Sequence, residues 1–304
     1  MIWLELAAGL LLLLGGGEAL VRGSVAVATR LGISPLVIGL TLVGFGTSTP
    51  ELVACIEAAL IGAPGIAVGN IVGSNIANIL LILGISALIV PVATTKEAFR
   101  RDGAVLVAAT VAFVAVTVLA GAIGRVTGLA FLAALVAYLV WTYWSERRAP
   151  DAAAARYADE AEEVMPKKLP LWAAIAIAVA GIGAVVWGAD LLVRGAIVIA
   201  RDFGLSEAVI GLTLVALGTS LPELATAIVA AARRHTDVAF GNVVGSNIFN
   251  VLGIAGAPAL VTPIGVPAQI VRLDIWVMLA TVVVLVAFAV TGWRVNRWEG
   301  AVML

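Results

Sequence analysis

Two carboxylates stand in stretches that are otherwise almost wholly apolar. Glu51 closes Gly39-Leu-Thr-Leu-Val-Gly-Phe-Gly-Thr-Ser-Thr-Pro-Glu51, and Glu223 closes Gly211-Leu-Thr-Leu-Val-Ala-Leu-Gly-Thr-Ser-Leu-Pro-Glu223, 172 positions later. The register then holds without a gap, because Gly69-Asn70 through Gly73-Ser-Asn-Ile-Ala-Asn78 returns as Gly241-Asn242 through Gly245-Ser-Asn-Ile-Phe-Asn250. A carboxylate near the centre of a membrane costs about 2.5 to 3.5 kcal/mol on insertion scales, and a bound cation offsets that cost. A glycine and a proline within one turn break or kink a helix. The main-chain carbonyls of Gly44, Thr47, Ala216 and Thr219 are therefore expected to become available as ligands beside the two acids. Ser74 with Asn78, and Ser246 with Asn250, are four residues apart, so each pair projects from one helical face. Together these groups form an all-oxygen site of the kind calcium takes, with six to eight ligands in flexible geometry. The absence of thiolates, and of any histidine within the apolar runs, argues against zinc or copper.

Such motifs need spanning helices to position them, and the composition supplies these. With 62% hydrophobic and 12% charged residues in 304 and a mean hydropathy of +1.13, the chain has too little polar surface for a soluble globule. It reads as an all-α polytopic membrane protein. The net charge of -1 carries no message about partners, since charge is arranged here by side of the membrane. The single cysteine, Cys55, has no partner for an internal disulfide and reads as a small packing residue. The first apolar run continues past Glu18 without a small-residue cleavage site and reads as the first span.

A span needs about 20 mostly apolar residues. Runs of that kind cover 3 to 29, 36 to 60, 66 to 90, 102 to 121 and 126 to 144, then 171 to 200, 208 to 231, 238 to 261 and 270 to 291. The expected organisation is a first repeat at 1–144 with its motif region at 39–84, a charged linker at 145–169, and a second repeat at 170–304 with its motif region at 211–256. Five helices return the chain to the opposite side, so the second repeat is inverted relative to the first. With the amino terminus outside, every Lys and Arg except Arg125, Arg194, Arg201 and Arg272 falls on the cytoplasmic side, which satisfies the positive-inside rule. The linker is then cytoplasmic, and the expected location is the cell (inner) membrane of a prokaryote. By the same shift of 172, Leu132 falls opposite Leu304, which leaves the tenth helix a stub. The expectation is a chain cut short within that helix rather than a nine-helix variant.

Paired midplane motifs in two halves are a mark of transporters built from repeats. The duplicated Gly-Thr-Ser-x-Pro-Glu and Gly-Asn-x-x-Gly-Ser-Asn-Ile-x-Asn motifs resemble the two alpha repeats of the cation/calcium exchanger superfamily, closest to its sodium/calcium exchanger branch, over nearly the whole chain. That resemblance implies alternating access, with ion ligands on the second, third, seventh and eighth helices. It also implies calcium ligation by Glu51, Glu223 and the main-chain carbonyls of Thr47 and Thr219. Sodium sites would add Gly44, Ser48, Ser74, Ala216, Ser220 and Ser246, with Asn78 at the middle. Exchangers of that branch usually carry Asp where this chain has Asn250, so the central site here is more symmetric and lacks one charge.

Other polar residues read as structural. Glu57, whose repeat counterpart is Val229, is expected at the outer vestibule rather than among the ligands. Glu18 with Arg22, and Asp190 with Arg194, have the i,i+4 order of helical ion pairs. His235 is expected in a surface loop, and Trp3, Trp141, Trp144 and Trp293 at the membrane interfaces. The function expected is calcium/sodium antiport; the alternative is proton/calcium antiport, whose branch usually carries a further Glu where this chain has Asn78 or Asn250. A non-transporting scaffold would have no use for duplicated intramembrane acids. Calcium and sodium are the expected transported ions, with no cofactor and no enzymatic activity. The lipid bilayer is the expected partner, with no nucleic acid and no obligate protein partner.

Overall fold

The computed structural model describes residues 2–31, 45–94, 96, 99–148, 169–232 and 236–304. Gly44, the first part of the 36 to 60 run, most of the linker, and Arg233, Arg234 and His235 lie outside the described residues. In the first half, α1 is Ile2–Arg30, α2 is Thr49–Leu60, α3 is Pro64–Ile89, α4 is Phe99–Ala120 and α5 is Arg125–Arg148. In the second half, α6 is Leu171–Asp202, α7 is Glu207–Thr219 and α8 is Leu221–Ala232. There α9 begins as Thr236–Phe249, passes through a wide π turn at Asn250–Ile254 and ends as Gly256–Val261. The chain closes with α10, Ile270–Val290, and the short α11, Arg297–Met303.

The repeat is legible in the element boundaries. The bounds of α2 and α8, and of the first and last parts of α3 and α9, are 172 positions apart. In α3, too, a π turn starts at the motif asparagine, over Asn78–Leu83. Burial separates centre from rim: 72% and 78% of the apolar stretches of α3 and α9 are buried, against 28% and 22% for α1 and α6. The inner pair therefore carries the polar motifs while the outer pair presents apolar surface, including Leu4, Leu11, Val179 and Val186, to lipid.

The inversion can be read from how α1 meets α6. A methyl group at Gly9 would strike Gly188 and Leu192, at Gly16 it would strike Gly181 and Val185, and at Gly23 it would strike Ala174 and Ala178. Contacts that climb along α1 thus descend along α6, so equivalent helices of the two repeats run antiparallel. Glycines every seven residues on both helices (Gly9, Gly16 and Gly23; Gly181, Gly188 and Gly195) let the backbones approach closely, as small residues do where no hydrophobic effect drives association.

Four two-residue strands tie the repeats together. Strand β1 (Val92–Ala93) pairs with β4 (Arg294–Val295), and β2 (Ala122–Ile123) pairs with β3 (Ile264–Gly265), both antiparallel. The registers Val92↔Val295 and Ile123↔Ile264 are images of each other under the repeat. Arg297 Nη2 donates to the Ile89 carbonyl at the end of α3 at 3.0 Å, and Arg125 Nη2 to the Val261 carbonyl at the end of α9 at 3.3 Å. A cation there satisfies an end carbonyl and suits the negative end of the helix dipole. Of the tryptophans expected at the interface, Trp3, Trp141 and Trp144 are exposed. Trp293 differs, for it packs edge-on against Phe99 with ring centres 6.2 Å apart and Lys96 above it. Its φ of 56° falls where the other repeat has Gly121 at 64°, and each of these residues offers its carbonyl to the opposing loop, from Thr94 and Val266 respectively.

Candidate cation site

Both glutamates emerge in the first turn of a helix that follows a break. Pro50 and Pro222 lack the N–H that a helix start leaves unpaired anyway, so they fit the first turn while interrupting what precedes it. The axis bends by 43° between α7 and α8 at Ser220. A carboxylate in the first turn also faces the positive end of the helix dipole. Glu51 and Glu223 are 2% and 1% exposed, too deeply placed for bulk water to solvate them.

The serines before these helices point across the repeat rather than along their own chain. Ser48 is the N-cap of α2 but makes no side-chain capping bond. Its Oγ donates instead to Glu223 Oε1 at 2.7 Å, and Ser220 Oγ donates to Glu51 Oε1 at 3.0 Å. Each acid is thus held by the serine of the opposite repeat. Thr219 lies beside Glu51 and Thr47 beside Glu223. Phe45 stacks on Phe249 with ring centres 4.5 Å apart, which fixes the turn before α2 against the residue preceding Asn250.

The companion helices close the ring. Ser220 Oγ lies 3.1 Å from Ser74 Oγ, Ser74 Oγ donates to Asn70 Oδ1 at 3.4 Å, and Thr219 Oγ1 donates to the same oxygen at 3.2 Å. Asn70 Nδ2 faces Cys55 Sγ at 3.2 Å and the Glu51 carbonyl at 3.5 Å; its counterpart Asn242 reaches the Glu223 carbonyl at 3.4 Å. Asn78 Nδ2 donates to Asn247 Oδ1 at 3.0 Å. Gly73 lets α3 approach α7 closely, since a Cβ there would lie 2.3 Å from the Leu212 carbonyl oxygen.

Among the described residues, six buried side-chain oxygens in the two motif regions have no hydrogen-bond partner: Thr47 Oγ1, Glu51 Oε2 and Asn78 Oδ1 from the first repeat, Glu223 Oε2, Ser246 Oγ and Asn250 Oδ1 from the second. Leaving a buried polar atom unpaired costs about 1 to 3 kcal/mol, more for a charged group. One such atom is a local defect, whereas three from each repeat give the site a set of acceptor oxygens whose chemistry fits a cation. The Ala216 carbonyl is less free than its sequence suggests, because it accepts from Ser220 N at 3.1 Å and lies 3.4 Å from Thr219 Oγ1. Glu57 lies away from this set, against the Asp190–Arg194 pair of α6. Glu18 and Arg22 also pair, on the exposed face of α1.

A family model described as sodium/calcium exchanger protein matches residues 1–144 and 173–304. The chain belongs to the sodium/calcium exchanger family. Among its relatives, the putative antiporter CaxA of Alkalimonas amylolytica is 37% identical over 97% of this chain and 93% of its own length. The sodium/calcium exchanger MaX1 of Methanosarcina acetivorans is 34% identical over 99% of this chain and 95% of its own. The solved structure of the sodium-calcium exchanger NCX_Mj soaked with Na+ and Ca2+ superposes with a TM-score of 0.63 at 30% identity, covering 99% of this chain and 94% of that one. The exchanger family accounts for the two repeats and for a membrane transporter of the cation/calcium antiport class. Asn70 and Asn247 were not among the site residues expected from sequence. Their signal was present, since Asn70 returns as Asn242 and Asn75 as Asn247 within the duplicated motifs.

Proposed function

We propose that the chain exchanges calcium for sodium by alternating access, with the two ions competing for one set of oxygens shared by both repeats. The six unpartnered oxygens carry this reading. Calcium is held by Glu51, Glu223 and the main-chain carbonyls of Thr47 and Thr219. Sodium uses the flanking positions Gly44, Ser48, Ser74, Ala216, Ser220 and Ser246, with Asn78 and Asn250 at the middle. Two carboxylates match the charge of one calcium ion or of a pair of sodium ions, so each cargo neutralises the site and either displaces the other. An ion that binds the unpartnered oxygens lowers the cost of burying these groups, and this lets the two repeats close around a loaded site and rock as bodies. The distribution of Lys and Arg favours an amino terminus outside and a cytoplasmic 145–169 linker, and the prokaryotic relatives favour a prokaryotic cell membrane.

Equilibrium calcium binding to the purified protein, titrated with sodium chloride against a choline chloride control, tests the shared site. Sodium is expected to weaken apparent calcium affinity progressively, with no calcium bound at saturating sodium. Calcium affinity indifferent to sodium would rule out competition at a common site.

A further inference from the structure

We infer that Asn247 is a positioning residue that fixes which end of the Asn78 amide faces the transported cation, an inference that rests on Asn78 being a ligand. An asparagine amide can present either its oxygen or its NH2 group, and only the oxygen can hold a cation. The choice at Asn78 is set by a chain that begins at a main-chain carbonyl. The Asn75 carbonyl oxygen can only accept, and Asn247 Nδ2 lies 3.5 Å from it. Asn247 Oδ1 therefore faces the other way, towards Asn78, and must receive a donor. Asn78 Nδ2 supplies that donor at 3.0 Å, which turns Asn78 Oδ1 outward as one of the buried oxygens without a partner. Asn247 is fully buried and Asn75 and Asn78 nearly so, so water is a poor substitute for any link. Without Asn247 the Asn78 amide is free to rotate, and in half its orientations it points a positive NH2 group at the ion.

The repeat supplies an internal control. Asn75 is the counterpart of Asn247, but its Nδ2 turns back to the Ile71 carbonyl of its own helix at 2.7 Å. The amide device thus acts on the Asn78 side of the site, and the side chain of Asn75 is not part of it.

The test is a double-mutant cycle on purified protein, with calcium affinity and half-inhibiting sodium concentration read by equilibrium binding. Groups that orient ligands are typically worth 10- to 100-fold in metal affinity. Asn78→Ala and Asn247→Ala are each expected to weaken calcium binding by roughly tenfold, and the double variant by no more than the larger single loss. Asn75→Ala is expected to stay within about twofold of the parent, since it removes no part of the chain that orients Asn78. Multiplying losses in the double variant, parental affinity in Asn247→Ala, or an equal loss in Asn75→Ala would each overturn the assignment. If Asn247→Ala does not fold, Asn247→Ser keeps one acceptor and one donor in less volume and enters the same cycle, with a smaller but still non-additive loss. Parental affinity in Asn78→Ala would remove Asn78 from the ligands and this inference with it, whereas loss in Asn78→Ala without loss in Asn247→Ala overturns the inference alone.

Discussion

In Glu51 and Glu223 alike, one carboxylate oxygen is held by a serine hydroxyl and the other has no hydrogen-bond partner among the described residues. The held oxygen fixes the carboxylate, and the unpartnered one is the atom that the proposed exchange assigns to the ion. Glu51→Gln and Glu223→Gln preserve shape and remove charge, so each is expected to abolish calcium exchange while the protein still elutes as a folded species; near-normal flux in either would exclude a direct role. Ser48→Ala and Ser220→Ala each remove one hydrogen bond to a carboxylate, worth about 1.5 to 3 kcal/mol. Both should lower calcium affinity by comparable factors, and an effect confined to one would show that only one acid depends on its crossed serine. The acids and the Ser74–Asn78 and Ser246–Asn250 pairs of the proposed site were legible from type, spacing and duplication, whereas Ser48 and Ser220 entered it only through the family resemblance. The crossing of those serines was not legible, because a serine before a helix reads first as a cap for its own chain. Nor was the amide chain through Asn247, since which partner an asparagine finds depends on how the helices meet.

Helices were legible in place and length because long apolar runs bounded by charge leave little choice, and α4 and α10 match their expected runs to within a few residues. The π turns at Asn78 and Asn250, the clasp strands and the glycine heptads of α1 and α6 were not read from the sequence. A widened turn keeps an apolar pattern, two-residue strands have no periodicity, and a glycine stripe gains meaning only when its partner helix is known. The heptads make a sharp prediction about two adjacent residues. A Cβ at Gly16 would sit 2.8 Å from Val185 N and from Ala184 Cβ, whereas at Gly15 it meets nothing within 4 Å. Gly16→Ala should force α1 and α6 apart at a cost of about 1 to 3 kcal/mol and lower the thermal midpoint in detergent. Gly15→Ala should be neutral or gain up to about 1 kcal/mol from helix propensity. Equal midpoints for the two variants would mean that α1 does not pack on α6 through this stripe.

The whole molecule is a pair of antiparallel copies joined by a charged linker, and that plan followed from counting: five spans in one repeat must invert the next. The contacts of α1 with α6 and the mirrored clasps carry the inversion into three dimensions. Orientation in the membrane is a separate matter, argued from charge alone. In a Cys55→Ala background, a membrane-impermeant maleimide should label Arg125→Cys in intact cells and Asp159→Cys only after permeabilisation; the opposite pattern would invert the orientation.

If sodium and calcium contend for one set of oxygens built by both repeats, a gradient of one drives the other. Uptake of radiolabelled calcium into proteoliposomes, driven in turn by a sodium gradient and by a proton gradient of equal size, tests it most directly. Rapid uptake is expected with sodium inside and none above leak with the proton gradient alone; uptake driven by protons but not by sodium would mean that sodium is not the coupling ion.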